Sequence, residues 1–272
     1  MSYTHQESIL RASYAYRGTA KKCSKLKSDS NVEKRGVSTD TMVHLQGVIK
    51  HFGATTALRG LDLELQRGGC LGIFGPNGAG KTTLLSILAT LTRPSAGTVR
   101  IAGYDVVKEG EKVRPLLGVL SHRTFLYAHL TAYENLQFYG RLFGLQKLAE
   151  RITEVLQVVD LVTHAQQLVR TYSRGMQQRL AIARAILHEP QLLLLDEPYT
   201  GLDTHAAKRL HALIKHLHTE ACTIIMSTHD LHHGLDVCDE IAIQCRGKIV
   251  YRGLSLGMDI QAFEQLYNTY VK

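Results

Sequence analysis

Gly75-Pro76-Asn77-Gly78-Ala79-Gly80-Lys81-Thr82, followed by Thr83, decides how the rest of the chain is read. Its spacing fits G-x-x-x-x-G-K-[ST], the pattern of a loop that wraps a polyphosphate in backbone N–H groups. Glycines at 75, 78 and 80 keep side chains out of that approach. Cys70–Phe74 is a short apolar run and predicts a buried strand leading into the loop. Thr82–Leu91 has helical spacing, so the loop delivers the phosphates to a helix N-terminus. In such a loop Lys81 reaches the β- and γ-phosphates and the Thr82 hydroxyl holds Mg²⁺.

Two further stretches carry chemistry. Leu192–Leu195 is followed directly by Asp196, Glu197 and Pro198. A buried strand that ends in acids sets them at the C-terminal edge of a sheet, beside the phosphate loop. Asp196 then belongs to the Mg²⁺ shell, and Glu197 orients or deprotonates the attacking water, because phosphoryl transfer rests on positioning and charge neutralisation. The other stretch is Tyr172-Ser173-Arg174-Gly175-Met176-Gln177-Gln178-Arg179, which opens a long apolar helix. Ser173 and Gly175 at a helix start make a second anion-facing end. Read alone, this is equally an ordinary capping motif. Since the chain already has one phosphate loop, a second such end suggests a site completed by another subunit.

Composition narrows the class. The 272 residues are 44% hydrophobic and 21% charged, enough for a sizeable core. The longest run of large aliphatic residues, Leu192–Leu195, is far short of a bilayer span. A net charge of +8 suits a nucleic acid, an anionic lipid surface or simply a basic exterior. Cys23, Cys70, Cys222, Cys238 and Cys245 are scattered with no C-x-x-C pair, which reads as reduced thiols without a zinc site. His211, His216 and His218 do not share one helix face and read as surface histidines.

Along the chain, residues 1–41 lack apolar periodicity and carry the basic cluster Lys21–Lys27. They read as a non-core extension, with Met42 as the expected start of the ordered fold. Val43–Lys50, Ala57–Leu65 and Gly97–Gly103 suggest a small, partly antiparallel sheet. Leu117–Leu120 is a further buried strand, and a helix-rich block follows, with Ala132–Phe143, a helix through Val159, and Gly175–Leu187. Strands then alternate with helices: Leu192–Leu195, helix Thr204–Leu217, Cys222–Ser227 and Ile241–Gln244. The expected fold is α/β: a P-loop NTPase core with a parallel sheet, an N-terminal antiparallel β-subdomain and a helical subdomain inserted at about 124–187. The core is expected to run over 42–255, with a C-terminal helix in 256–272.

The phosphate loop, Tyr172–Arg179, Leu192–Pro198, Gly201-Leu202-Asp203 and Ser227-Thr228-His229 stand in the order and spacing of ABC-transporter ATP-binding subunits, which residues 43–252 resemble. The resemblance implies an ATPase that uses ATP and Mg²⁺. It also implies transmembrane permease partners, a second ATP-binding subunit, and a peripheral place on the cytoplasmic face of the membrane. It implies that Phe52 stacks on adenine and that Ser173–Gln177 contacts the γ-phosphate held by the opposite subunit. Asp203 resembles the aspartate of the inter-subunit loop and His229 the switch histidine. Two positions depart from the family's pattern. Arg174 and Met176 stand where it usually has Gly and Gln. Arg123, or His122 if the register slips, stands where it usually has the glutamine linking the Mg²⁺ site to the membrane partner. A guanidinium cannot ligate Mg²⁺, so Arg123 is expected to turn away rather than bond phosphate.

Within the family, Ser121–Tyr127, Leu130–Asn135, the Ser173–Gln178 signature and the Asp196–Asp203 stretch are similar to the ATP-binding subunit of the haem exporter of cytochrome c maturation. The alternative is a drug or lipid exporter, since substrate choice lies mostly in membrane subunits. A soluble ABC ATPase acting on nucleic acid or ribosomes fits less well. Only 92 positions separate Lys81 from Ser173, too few for the long coiled coil of the DNA-acting members. The Lys21–Lys27 cluster also has no stacking aromatics among its charges.

Overall fold

The computed structural model describes residues 40–121, 123–219 and 222–271. The expectations for residues 1–39, and for His122, lie outside the described residues.

In chain order, β1 (Thr41–Phe52) and β2 (Thr55–Gln66) form a long hairpin; β3 (Cys70–Phe74) runs into the phosphate loop and α1 (Lys81–Leu88) leaves it. Then come β4 (Ala96–Ile101), β5 (Tyr104–Asp105), the short α2 (Gly110–Val113) and β6 (Leu117–Leu120). A helical block holds α3 (Ala132–Leu142), α4 (Leu148–Val158) and α5 (Arg174–Ile186). The chain closes with β7 (Leu192–Asp196), α6 (Thr204–Thr219), β8 (Thr223–Thr228), α7 (Leu231–Val237), β9 (Glu240–Cys245), β10 (Lys248–Leu254) and α8 (Ile260–Val271).

Two sheets organise these elements. The larger has the order β10-β9-β3-β8-β7-β6, parallel from β9 to β6, with β10 antiparallel at its edge. The smaller is antiparallel, in the order β2-β1-β4-β5. The α/β architecture read from the sequence is the one observed. Every residue of β3, β7 and β8 is buried, as a strand covered on both faces requires. Their period of two splits them between cores. Leu71, Ile73, Leu192, Leu194 and Ile225 join α1 and the antiparallel sheet, while Leu193, Leu195, Ile224 and Met226 face the helical block. Each fully buried leucine or isoleucine contributes about 1.5–3 kcal/mol of burial free energy, so this double facing is what holds the parallel strands between the layers.

Element limits differ from the sequence reading in instructive places. The fold begins before Met42: Thr41 is a buried residue of β1 whose Oγ1 donates to Glu64 Oε1 at 2.8 Å, and the Asp40 carbonyl accepts from Arg67 N–H at 2.9 Å. α1 stops at Leu88, short of Leu91, because Thr90 turns left-handed (φ 59°) and Leu91 N–H closes onto the Ser86 carbonyl. α7 has no counterpart in the sequence reading. Leu231-His232-His233-Gly234-Leu235-Asp236-Val237 has no clear apolar stripe, and the helix rests on the Asp230 cap, whose Oδ1 accepts from His233 N–H.

The helical block is tied to the sheet at the end of α5. Arg151, on α4, donates to the carbonyls of Ile186 and Leu187, and Arg184 Nη2 donates to the Val119 carbonyl on β6. Beside them His188 stacks on Phe143 at 3.9 Å between centroids, with Nε2 bonded to the Leu117 carbonyl and Nδ1 buried without a partner among the described residues. Burial, with help from the Arg151 and Arg184 charges, pushes its pKa down to about 4. The unfolded chain therefore takes up a proton as pH falls through about 6.5, while the folded chain does so only near 4. Stability present above pH 6.5 is lost progressively across that window, on the order of 3 kcal/mol in all. Thermal melts should show a shallower loss between pH 6.5 and 4 for His188→Leu than for the parent; parallel curves would contradict this.

Candidate active site

The loop after β3 is shaped by contacts that exclude any side chain. A Cβ on Gly75 would lie 2.1 Å from the Gln244 carbonyl oxygen, and one on Gly80 would lie 2.6 Å from the Ala57 carbonyl oxygen. Gly78 (φ 79°) and Gly80 (φ 104°) are both left-handed. The Ala79 carbonyl is held from below by Gly247 N–H at 2.9 Å and Gln244 Nε2 at 3.2 Å. Pro76 and Asn77 form the turn, and the Ala79 N–H closes onto the Pro76 carbonyl. Thr82 and Thr83 lie in the first turn of α1, which starts at Lys81 without a side-chain cap. Its first N–H groups are thus left for an anion.

Lys81 is buried, and its Nζ donates to the Gly75 carbonyl at 2.6 Å and lies 3.6 Å from Glu197 Oε1. Asp196, also buried, accepts at Oδ1 from Thr82 Oγ1 (3.2 Å) and from Ser227 Oγ (2.6 Å). Glu197 follows in a left-handed conformation (φ 51°) that is uncommon for a residue with a side chain. Its N–H is fixed by the Ser227 carbonyl at 3.0 Å and lies 3.2 Å from Ser227 Oγ. Its Oε2 meets His229 Nδ1 at 2.6 Å and the His229 N–H at 3.3 Å. Lys81, Thr82, Asp196, Glu197 and His229 are therefore brought together from three strand ends, those of β3, β7 and β8. Ser227, which the sequence offers only as part of the Ser227-Thr228-His229 motif with no role of its own, is their shared brace: it pairs with Asp196 across β7 and β8 and is fully buried.

A hydroxyl and a carboxylate 3.2 Å apart suit a hard divalent cation that completes its shell with phosphate oxygens and water. The donor set thus fits Mg²⁺ together with a nucleotide, and no cluster able to hold a metal by protein groups alone occurs among the described residues. The three histidines read as surface groups need correction in part. His211 Nε2 bonds Asp236 Oδ2 at 2.6 Å, and His218 Nε2 bonds the Gly68 carbonyl at 3.1 Å and pairs with Asp239, so both are largely covered.

Ser173, Gly175 and Asp203 form a second group. Ser173 Oγ caps α5 by accepting from Met176 N–H, and Asp203 Oδ1 caps α6 by accepting from Ala206 N–H at 2.8 Å. That bond from Ala206 holds the Asp203 carboxyl below the usual range. Gly175 is needed where the two helix starts meet, since a Cβ there would lie 2.8 Å from Ala206 Cβ. The Arg174 guanidinium covers Gly201, whose left-handed turn (φ 73°) favours glycine there. No hydrogen bond joins this group to Lys81, Asp196 or Glu197 among the described residues.

Phe52 ends β1 opposite Thr55, half exposed at 53%, with Lys50 Nζ 4.8 Å from its ring centroid. Arg123 is exposed and lines two cavities. One, of about 210 Å³, also has Thr82 and Asp196 on its wall; the other, of about 610 Å³, reaches Arg174, Gln177 and Gln178.

The family model described as "ABC transporter" matches residues 58–200. The daunorubicin resistance ATP-binding protein DrrA3 of Streptomyces coeruleorubidus is 38% identical over 216 residues, spanning 79% of this chain and 68% of that protein. The chain belongs to the ABC transporter family, as an ATP-binding subunit. The ABC transporter ATP-binding protein NatA of Bacillus subtilis (strain 168) is likewise 38% identical over 216 residues, or 78% of this chain and 85% of that one. Among solved structures, a dimeric ATP-binding cassette in a post-hydrolysis state, bound to ADP and Pi, superposes with a TM-score of 0.72 at 28% identity, covering 80% of this chain and 100% of that one. This ABC subunit is an ATPase. No described helix is long and apolar enough to cross a membrane. The finer likeness to haem exporters is not supported by these relatives, and the drug-exporter alternative fits them better.

Proposed function

We propose that this chain hydrolyses ATP at the Lys81–Asp196–Glu197–His229 group to power an exporter of drug-like, amphipathic molecules through a transmembrane partner. The observation that carries the reading is the convergence of Lys81, Asp196 and Glu197 around one phosphate loop, with Lys81 Nζ 3.6 Å from Glu197. The export half rests on the drug-resistance relative. Thr82 and Asp196 would hold Mg²⁺, which would supply charge neutralisation for the phosphates.

Lys81 Nζ is engaged by the loop carbonyls of Gly75 and Pro76 and by Glu197. The β- and γ-phosphates draw it away from both, which frees Glu197 as a base. Glu197 then accepts a proton from the water that attacks the γ-phosphorus, as the bond from phosphorus to the ADP oxygen breaks. His229 keeps the Glu197 carboxylate aimed and donates to the departing phosphoryl group. Phe52 stacks on adenine. Ser173, Gly175 and Asp203 serve the nucleotide of a second ATP-binding subunit, since they stand apart from this chain's own loop. Arg123, on the rim beside Asp196, turns from the metal toward the membrane partner.

Cells lacking the gene should become hypersensitive to some members of a panel of amphipathic drugs. The parent gene should restore resistance, and one encoding Glu197→Gln should not. Full rescue by Glu197→Gln, or unchanged sensitivity to the whole panel, would contradict the proposal.

A further inference from the structure

We infer that Tyr199 and His233 form a clamp that sets Glu197 against His229, acting as positioning residues for ATP hydrolysis. The inference rests on the roles given to Glu197 and His229 above. Those residues lie on different loops, after β7 and after β8, and no covalent geometry fixes their separation. Tyr199 follows Glu197 by two positions and is buried, and its ring stacks on His233 with centroids 4.5 Å apart and planes at 25°. His233 follows His229 by four positions, in the first turn of α7. It is held twice by the cap: its N–H donates to Asp230 Oδ1 at 3.1 Å, and its Nδ1 meets Asp230 Oδ2 at 2.8 Å. Asp230 is in turn fixed by its N–H to Thr228 Oγ1.

α7 is also fixed on its other sides. A Cβ on Gly234 would lie 2.4 Å from the Phe74 ring, so the helix presses on the residue just before the phosphate loop. His211, on α6, bonds Asp236 and lies 6.5 Å from Tyr199 between ring centroids. With α7 pinned in this way, the Tyr199 ring carries its position back to the Glu197 loop, adding a side-chain contact to the Ser227 bonds that hold the Glu197 N–H. Tyr199 Oη is buried with no hydrogen-bond partner among the described residues, so the ring performs this task and the hydroxyl does not.

The test is steady-state and single-turnover ATP hydrolysis with separate measurement of nucleotide affinity. Tyr199→Leu should lower kcat roughly tenfold, while KM and nucleotide affinity stay within about twofold. Tyr199→Phe should keep kcat within about twofold of the parent, because the stack survives. His233→Ala removes the same stack from the more exposed side and should reproduce the kcat loss without opening a core cavity. In a His229→Ala background, single-turnover rates with and without Tyr199→Leu should agree within about twofold, since the residue being positioned is gone. Unchanged kcat in Tyr199→Leu and His233→Ala would overturn the clamp, as would an equal loss in both backgrounds. If Glu197→Gln itself hydrolyses ATP normally, the assigned chemistry fails. If it does not, and the clamp variants are indifferent, the clamp alone fails.

Discussion

Glu197→Gln should leave ATP bound and cut turnover by a factor on the order of 10²–10⁴. The amide keeps the size of the side chain and still accepts from His229 N–H, so the loop retains its shape. It cannot take a proton from water, and it no longer faces Lys81 as a charge at 3.6 Å. The expected signature is a lower kcat with nucleotide affinity equal to or tighter than that of the parent. Phosphate release in steady state together with fluorescent-nucleotide binding separates the two quantities. Near-normal hydrolysis would remove Glu197 from its role.

Lys81→Ala should fail one step earlier, at binding. The ammonium group is buried among loop carbonyls and Glu197, so its removal leaves that carboxylate without the neighbouring positive charge where the phosphates must enter. The phosphates lose a charge-assisted bond and gain a repulsion, which together weaken ATP affinity by about 3 kcal/mol or more, roughly 100-fold. Calorimetric titration with ATP gives the affinity, and an unchanged thermal melt without nucleotide shows that the fold is intact. Parent-like affinity would mean that the loop backbone alone suffices.

The site was legible to different depths. β3, the phosphate loop and the strand ending in Asp196-Glu197 could be read directly, because each is a local pattern whose chemistry demands those residue types at that spacing. The tasks of Ser227 and Gln244 could not be read. Their work depends on which strands are neighbours: Ser227 faces Asp196 only because β8 pairs with β7 in that register, and Gln244 reaches Ala79 only because β9 lies next to β3. The helix carrying His233 was hidden for another reason. It is short, interrupted by Gly234 and held by a cap and by packing on Phe74 rather than by an apolar stripe. Ser173 and Gly175 read equally as an anion-facing helix start and as a capping motif; the cap is present, and what the sequence does not reveal is the close approach at Gly175. Ser173 caps α5, and Gly175 admits Ala206.

If the Ser173 group serves a nucleotide held by a second subunit, ATP must favour the joined state through contacts that the separate chains do not make. Sedimentation velocity of Glu197→Gln measures this most directly. With Mg-ATP the protein should sediment as a dimer, with ADP or no nucleotide as a monomer, and adding Ser173→Arg should restore the monomer in Mg-ATP. A dimer equally populated without nucleotide, or one untouched by Ser173→Arg, would contradict the shared site.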